Sequence, residues 1–85
     1  MHKPIVLNVL TPEGKAFGGE VEAVYLPGGA GRFEILPDHA PIVSSLEAGE
    51  LRWLVNGEST SMKVLSGAMM LRNNVVTVCV EPGKQ

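Results

Sequence analysis

Between Ile5 and Val80 apolar residues come in short runs, many with a period near two, and glycine or proline closes most of the runs. Side chains alternate across a strand with that period. Ten glycines and six prolines in 85 residues put turns at the spacing of a sandwich or barrel. The expected fold class is therefore all-β, a small β-sandwich with no substantial helix. The first strand is Ile5 to Leu10, stopped by the turn signal Thr11-Pro12-Glu13-Gly14. The next run, Ala16 to Leu26, places Val21, Val24 and Leu26 at spacings of three and then two, and a β-bulge near Ala23 would reconcile the slip. Pro27-Gly28-Gly29-Ala30-Gly31 reads as a flexible loop, after which Phe33 and Ile35 share one face and Arg32 and Glu34 the other. The best helical candidate, Ser44 to Glu50, is short and interrupted by Gly49.

Two hairpins can be drawn in register. Asn56-Gly57 suits a two-residue type I′ turn, because both residues tolerate positive φ. It sets Trp53 opposite Thr60, Leu51 opposite Met62 and Glu50 opposite Lys63, the last an opposite-charge pair. A turn at Asn73-Asn74 sets Leu71 opposite Val76 and Met69 opposite Val78. Met69, Leu71, Val76, Val78 and Val80 then form one apolar stripe, with Cys79 on the other face beside Ala68.

Composition narrows the function. Aromatic residues are only Phe17, Tyr25, Phe33 and Trp53, so the core is aliphatic. Seven basic against nine acidic groups give a net charge of −2, which does not support phosphate-driven binding of nucleic acid. A single cysteine, Cys79, makes no internal disulfide and fits a reducing, cytoplasmic setting. Met1 to Leu10 lacks the layout of a signal peptide, and no apolar stretch approaches the ~20 residues of a membrane span. Direct membrane insertion is not expected. Residues 1–85 read as one domain.

No residue pattern carries catalysis. Asp38-His39 could orient an imidazole, but no serine or cysteine nucleophile signature accompanies it, and a turn or partner contact is the plainer reading. Gly28 to Gly31 opens no helix and is not followed by Gly-Lys-Ser/Thr, so it is not a phosphate-binding P-loop. Glu20 and Glu22 alternate on what reads as a solvated strand face. Cys79 has no basic neighbour in sequence. His2 and the single cysteine match no zinc spacing, so metals and cofactors are not expected. One of Met69 and Met70 fills the core, and Trp53 is either a core residue or a partner anchor.

The segment Gly31-Arg32-Phe33-Glu34-Ile35-Leu36-Pro37-Asp38-His39-Ala40-Pro41 resembles the Ile-Leu-Pro, x-His-Ala-Pro signature of F-type ATP synthase epsilon subunits. Thr11-Pro12-Glu13-Gly14-Lys15, Phe17-Gly18-Gly19-Glu20-Val21, Leu26-Pro27-Gly28, Leu46 to Arg52, Ser66-Gly67-Ala68 and Val75 to Val78 resemble further stretches of that family, in the same order. The resemblance covers nearly the whole chain. It implies the ten-stranded N-terminal β-sandwich of a non-catalytic rotor subunit in the central stalk. Such a subunit binds gamma, rests on the c-subunit ring and helps couple proton or ion flow to ATP synthesis. It implies a peripheral place on the cytoplasmic face of the bacterial inner membrane, held there by the complex.

By the same resemblance, Gly31, Arg32, Glu34, Pro37 and Asp38 lie in a loop toward the c ring, and Thr11, His39, Ala40, Pro41 and Ser44 lie toward gamma. Arg32 stands where the family often has an acidic residue and Glu34 where it often has glycine. The family's C-terminal helical hairpin has no counterpart before Gln85, so neither an inhibitory arm nor a nucleotide site is expected in this chain. Two rivals stand beside the rotor reading. One is a free-standing β-sandwich that binds a ligand or peptide at a groove by Trp53 or Met70. The other is a small hydrolase using Asp38 and His39.

Overall fold

The computed structural model describes residues 3–84. Among them are eight strands and no helix: β1 (Ile5–Thr11), β2 (Gly14–Val21), β3 (Ala23–Gly28), β4 (Gly31–Ile35), β5 (Ile42–Leu46), β6 (Gly49–Val55), β7 (Glu58–Arg72) and β8 (Val75–Pro82). Hydrogen bonding links them in the order β2-β1-β8-β7-β5-β3-β4, with β6 joined to both β3 and β7. The first half of β7 pairs with β6, and the second half pairs with β5 and β8. A bulge between Val64 and Ser66 bends β7 at that change of partner and turns Leu65 out, 57 % exposed. The result is a β-sandwich of two layers. One holds β2, β1, β8, the second half of β7, and β5; the other holds β4, β3, β6 and the first half of β7.

The expected ten strands are eight among the described residues. Bending through a bulge lets β7 serve both layers as one unbroken strand, where two would otherwise be needed. Ile5, Leu7 and Val9 from β1 and Val76, Val78 and Val80 from β8 point inward. They meet Val24, Leu26, Ile35, Leu51 and Trp53 from the other layer. All buried side chains among the described residues are apolar. Such a core gains its stability from area removed from water, about 1.5–3 kcal/mol for each large aliphatic side chain. Trp53 is 5 % exposed and its ring lies 4.9 Å from that of Phe17, centroid to centroid, across the two layers. It is a core residue, not a partner anchor.

Both hairpins fold as the pattern predicts. Trp53 faces Thr60, Glu50 faces Lys63, Leu71 faces Val76 and Met69 faces Val78. The turns use φ of 50° and 79° at Asn56 and Gly57, and 52° and 62° at Asn73 and Asn74. Four expectations are corrected. Ser44 to Glu50 is no helix: Ile42–Leu46 is β5 and β6 begins at Gly49. A single helical turn would be a costly nucleus, whereas β5 gains a full ladder on β7. There is no bulge at Ala23. β2 ends at Val21, and the chain turns a corner into the other layer at Glu22, whose N–H donates to the Leu54 carbonyl at 2.8 Å. Glu20 and Glu22 therefore do not share a strand. Gly28 to Gly31 is a tight hairpin turn with those two residues paired, not a flexible loop. A Cβ on Gly28 would stand 2.6 Å from the Phe33 ring.

Candidate functional site

The inward stripe of the larger layer leaves an outward face one residue out of phase. Val43, Met70, Thr77 and Asn8 form one row across four strands, and Ser45, Ala68, Cys79 and Leu10 form the next. None of these side chains carries a charge. Val43 is 76 % exposed and Met70, directly opposite it, 51 %. Together with Pro41, Ile42, Leu71 and Arg72 they line a shallow groove of about 290 Å³. Charges border the face at Arg72, Glu20 and Lys15, through the adjoining pairs Arg72–Val75, Val6–Glu20 and Leu10–Lys15. An uncharged, partly apolar centre with a charged rim is the layout of a protein-binding surface.

The five residues expected toward gamma spread along this layer. Exposed His39, Ala40 and Pro41 lead into β5 at one end. The His39 N–H donates to the Leu36 carbonyl at 3.2 Å, and its Nδ1 lies 2.7 Å from the Ala40 carbonyl. Thr11 sits at the other end of β1, where its hydroxyl donates to the Gly14 carbonyl at 3.0 Å and accepts the Glu13 N–H at 3.2 Å. That bonding shapes the β1–β2 turn. Ser44 lies between Val43 and Ser45 and is half-buried on the inward side, its hydroxyl donating to the Ser45 carbonyl at 2.8 Å.

The residues expected toward the c ring do not share one loop. Gly31, Arg32 and Glu34 belong to β4, an edge strand, because Phe33 and Ile35 alternate inward and pair it with β3. Arg32 Nη2 lies 4.0 Å from Glu50 Oε1, with both side chains about half exposed. A surface pair of this kind contributes at most about 1 kcal/mol. Glu34 faces Tyr25 across β3. Its hydrogen bond holds the Tyr25 phenol above its ordinary pKa of 10.0, and partial burial acts in the same direction. Arg52 stacks on that ring, 4.7 Å from its centroid, with its Nε buried and unbonded. Pro37 and Asp38 follow β4, and Asp38 is joined to Asn74 by two hydrogen bonds.

Sequence reasoning missed the Glu34–Tyr25–Arg52 row and the Asp38–Asn74 pair. Tyr25 opposite Glu34 follows once Gly28 to Gly31 is a tight hairpin turn, but Arg52 is far from Tyr25 in the chain and Asn74 from Asp38, and no local pattern signals those pairings. The exposure of Met70, by contrast, was available from the register of Met69 and Leu71, whereas that of Val43 depends on β5, which no pattern predicted. Among the described residues, no three His, Cys, Asp or Glu side chains stand together as a metal site. The Cys79 thiol is exposed on the uncharged face.

Residues 4–83 match the family described as the ATP synthase, Delta/Epsilon chain, beta-sandwich domain. The chain belongs to that family. It is 42 % identical over 82 residues to the ATP synthase epsilon chain of Desulfitobacterium hafniense, covering 93 % of this chain and 62 % of that one. It is 34 % identical over 85 residues to the epsilon chain of Desulforamulus reducens, covering 100 % of this chain and 64 % of that one. Against the chloroplastic epsilon chain of Nicotiana tabacum it is 35 % identical over 79 residues, covering 93 % and 59 %. The chain thus spans about three-fifths of the length of these relatives.

Among solved structures, a chain of the Euglena gracilis mitochondrial ATP synthase (OSCP/F1/c-ring) superposes with a TM-score of 0.85 at 19 % identity, over 91 % of this chain and 50 % of that one. A chain of the Tetrahymena thermophila mitochondrial ATP synthase central stalk and c-ring superposes with a TM-score of 0.80 at 13 % identity, over 94 % and 65 %. At such identities these likenesses establish the shared fold.

Proposed function

We propose that the chain is the β-sandwich of a central-stalk rotor subunit of an F-type ATP synthase, without catalytic residues of its own. It binds the gamma subunit through the uncharged outer face of β5, β7, β8 and β1, together with the His39–Pro41 segment, and meets the c-subunit ring at the β4 edge. Residues 1–85 act as one unit, held at the cytoplasmic face of a bacterial membrane by its partners. The observation that carries this reading is the exposed Val43–Met70 pair beside Pro41, on a face that carries no charge across two rows of four strands. Membership of the epsilon family supports it, as do the named settings of the two structural neighbours. A stiff, wholly apolar core suits a part that must transmit torque without deforming.

The deciding experiment mixes this chain with the gamma subunit encoded by the same organism and weighs the products by native mass spectrometry. A 1:1 complex is expected. Absence of any complex at micromolar concentrations would overturn the central-stalk assignment. It would send attention to the groove by Met70 as a ligand site, because the groove by Trp53 is closed by burial.

A further inference from the structure

Four non-glycine residues among those described have positive φ, and three of them, Asp38, Asn73 and Asn74, meet at one end of the molecule. The Asp38 N–H donates to Asn74 Oδ1 at 2.7 Å, and Asn74 Nδ2 donates to Asp38 Oδ1 at 3.1 Å. The Asn74 carbonyl in turn accepts the Val6 N–H at 2.8 Å. One residue thus ties together the β7–β8 turn, the start of β1 and the connection from β4 to β5. The reciprocal bonding requires an amide at position 74. A carboxylate there could only accept, and a hydroxyl is too short to accept and donate across the same pair.

We propose that Asn74 is the positioning residue of the 36–41 connection. By fixing Asp38 at φ 65°, it turns the chain after Pro37 and sets where His39, Ala40 and Pro41 stand at the margin of the uncharged face. Asn74 needs no contact with a partner to do this. Its consequence for gamma rests on the central-stalk reading above, while the clamp itself does not.

The test uses Asn74→Gly, which keeps the left-handed backbone free of strain and removes both side-chain bonds. Hydrogen exchange at the Asp38 amide reads the clamp directly, with the Leu71 and Val76 amides as internal references. Exchange at Asp38 is expected to quicken about tenfold or more, the factor for two hydrogen bonds of which one is to a carboxylate. The references are expected to hold. Asn74→Asp sets two carboxylates face to face and should lose protection as well. Adding Asp38→Asn restores a donor opposite an acceptor with the roles exchanged, and should recover it. Unchanged exchange in Asn74→Gly, or no recovery in the double variant, would overturn the proposal.

Gamma affinity of the same variants completes the test. A loss of about tenfold in Asn74→Gly that the double exchange reverses supports the positioning role. Unaltered affinity despite a loosened Asp38 would overturn that role. Failure of the unsubstituted chain to bind gamma would strike the central-stalk reading instead and leave the exchange result to judge the clamp.

Discussion

Gly67 sits where β7 is flanked by β5 and β8, opposite Leu46 on one side and Val80 on the other. A Cβ built there would overlap the Cys79 carbonyl oxygen, and would stand 2.9 Å from Val80 Cγ1 and 3.0 Å from Val80 Cα. Two of these atoms belong to the backbone of β8, so no rotamer change relieves the overlap. Overpacking generally destabilises by about 1–3 kcal/mol, and an obstacle made of backbone places Gly67→Ala at the upper end. A chain of 85 residues has a total stability of about 4–13 kcal/mol at typical values per residue. The substitution therefore removes a quarter or more of it. In a domain of this size each kcal/mol moves the thermal midpoint by about 4–8 °C, so a drop of about 10–20 °C is expected by circular dichroism. Gly29→Ala is the control. Its Cβ would meet only Ser45 Oγ at 3.4 Å and Glu47 Cγ at 3.9 Å, which are ordinary contacts. That variant should be neutral, or more stable by up to about 1 kcal/mol through the unfolded state. A Gly67→Ala midpoint within a few degrees of the unsubstituted chain would refute the packing argument.

Gly57→Ala has open space around its new Cβ but must adopt φ of 79°, so it should lose about 1–2 kcal/mol from backbone strain alone, measured by urea unfolding. Val43→Asp should change stability by less than about 0.5 kcal/mol, because the side chain is 76 % exposed. If the central-stalk reading holds, it should nevertheless weaken gamma binding about tenfold or more by placing a carboxylate in an apolar contact, read by titration calorimetry. The phenolate absorbance of Tyr25, the one tyrosine, should titrate above pH 10.0 in the folded chain, and the midpoint should fall in Glu34→Gln as the hydrogen bond to a carboxylate is lost. Since the folded chain holds the phenol proton at pH values where the unfolded chain releases it, Tyr25 adds stability below pH 10.0. That stability disappears as the pH rises through the folded value. A Glu34→Gln midpoint equal to that of the unsubstituted chain would dismiss the bond as its cause.

The local pattern determined what is local. Asn56-Gly57 and Asn73-Asn74 tolerate positive φ, and a two-residue turn leaves one register, so every pair drawn across β6–β7 and β7–β8 is found. The alternation of Met69, Leu71, Val76 and Val78 then names the buried stripe and, by default, the outward face on which Met70 stands. Collinear short motifs sufficed for the family. What tertiary structure alone decided lies where the chain changes layer. The spacing of three at Val21 to Val24 reads as a bulge until Glu22 is seen turning a corner onto Leu54. Ser44 to Glu50 reads as a helical turn until β7 supplies the ladder that makes Ile42–Leu46 a strand. Asn74 reads as a turn residue and nothing more. Its hold on Asp38, 36 positions away, exists only because pairing β5 with β7, Ile42 opposite Leu71, brings the β7–β8 turn beside the connection into β5. Periodicity reports which face of an element is apolar; it holds no information on which distant element will lie against that face, and that pairing placed every residue of the candidate site.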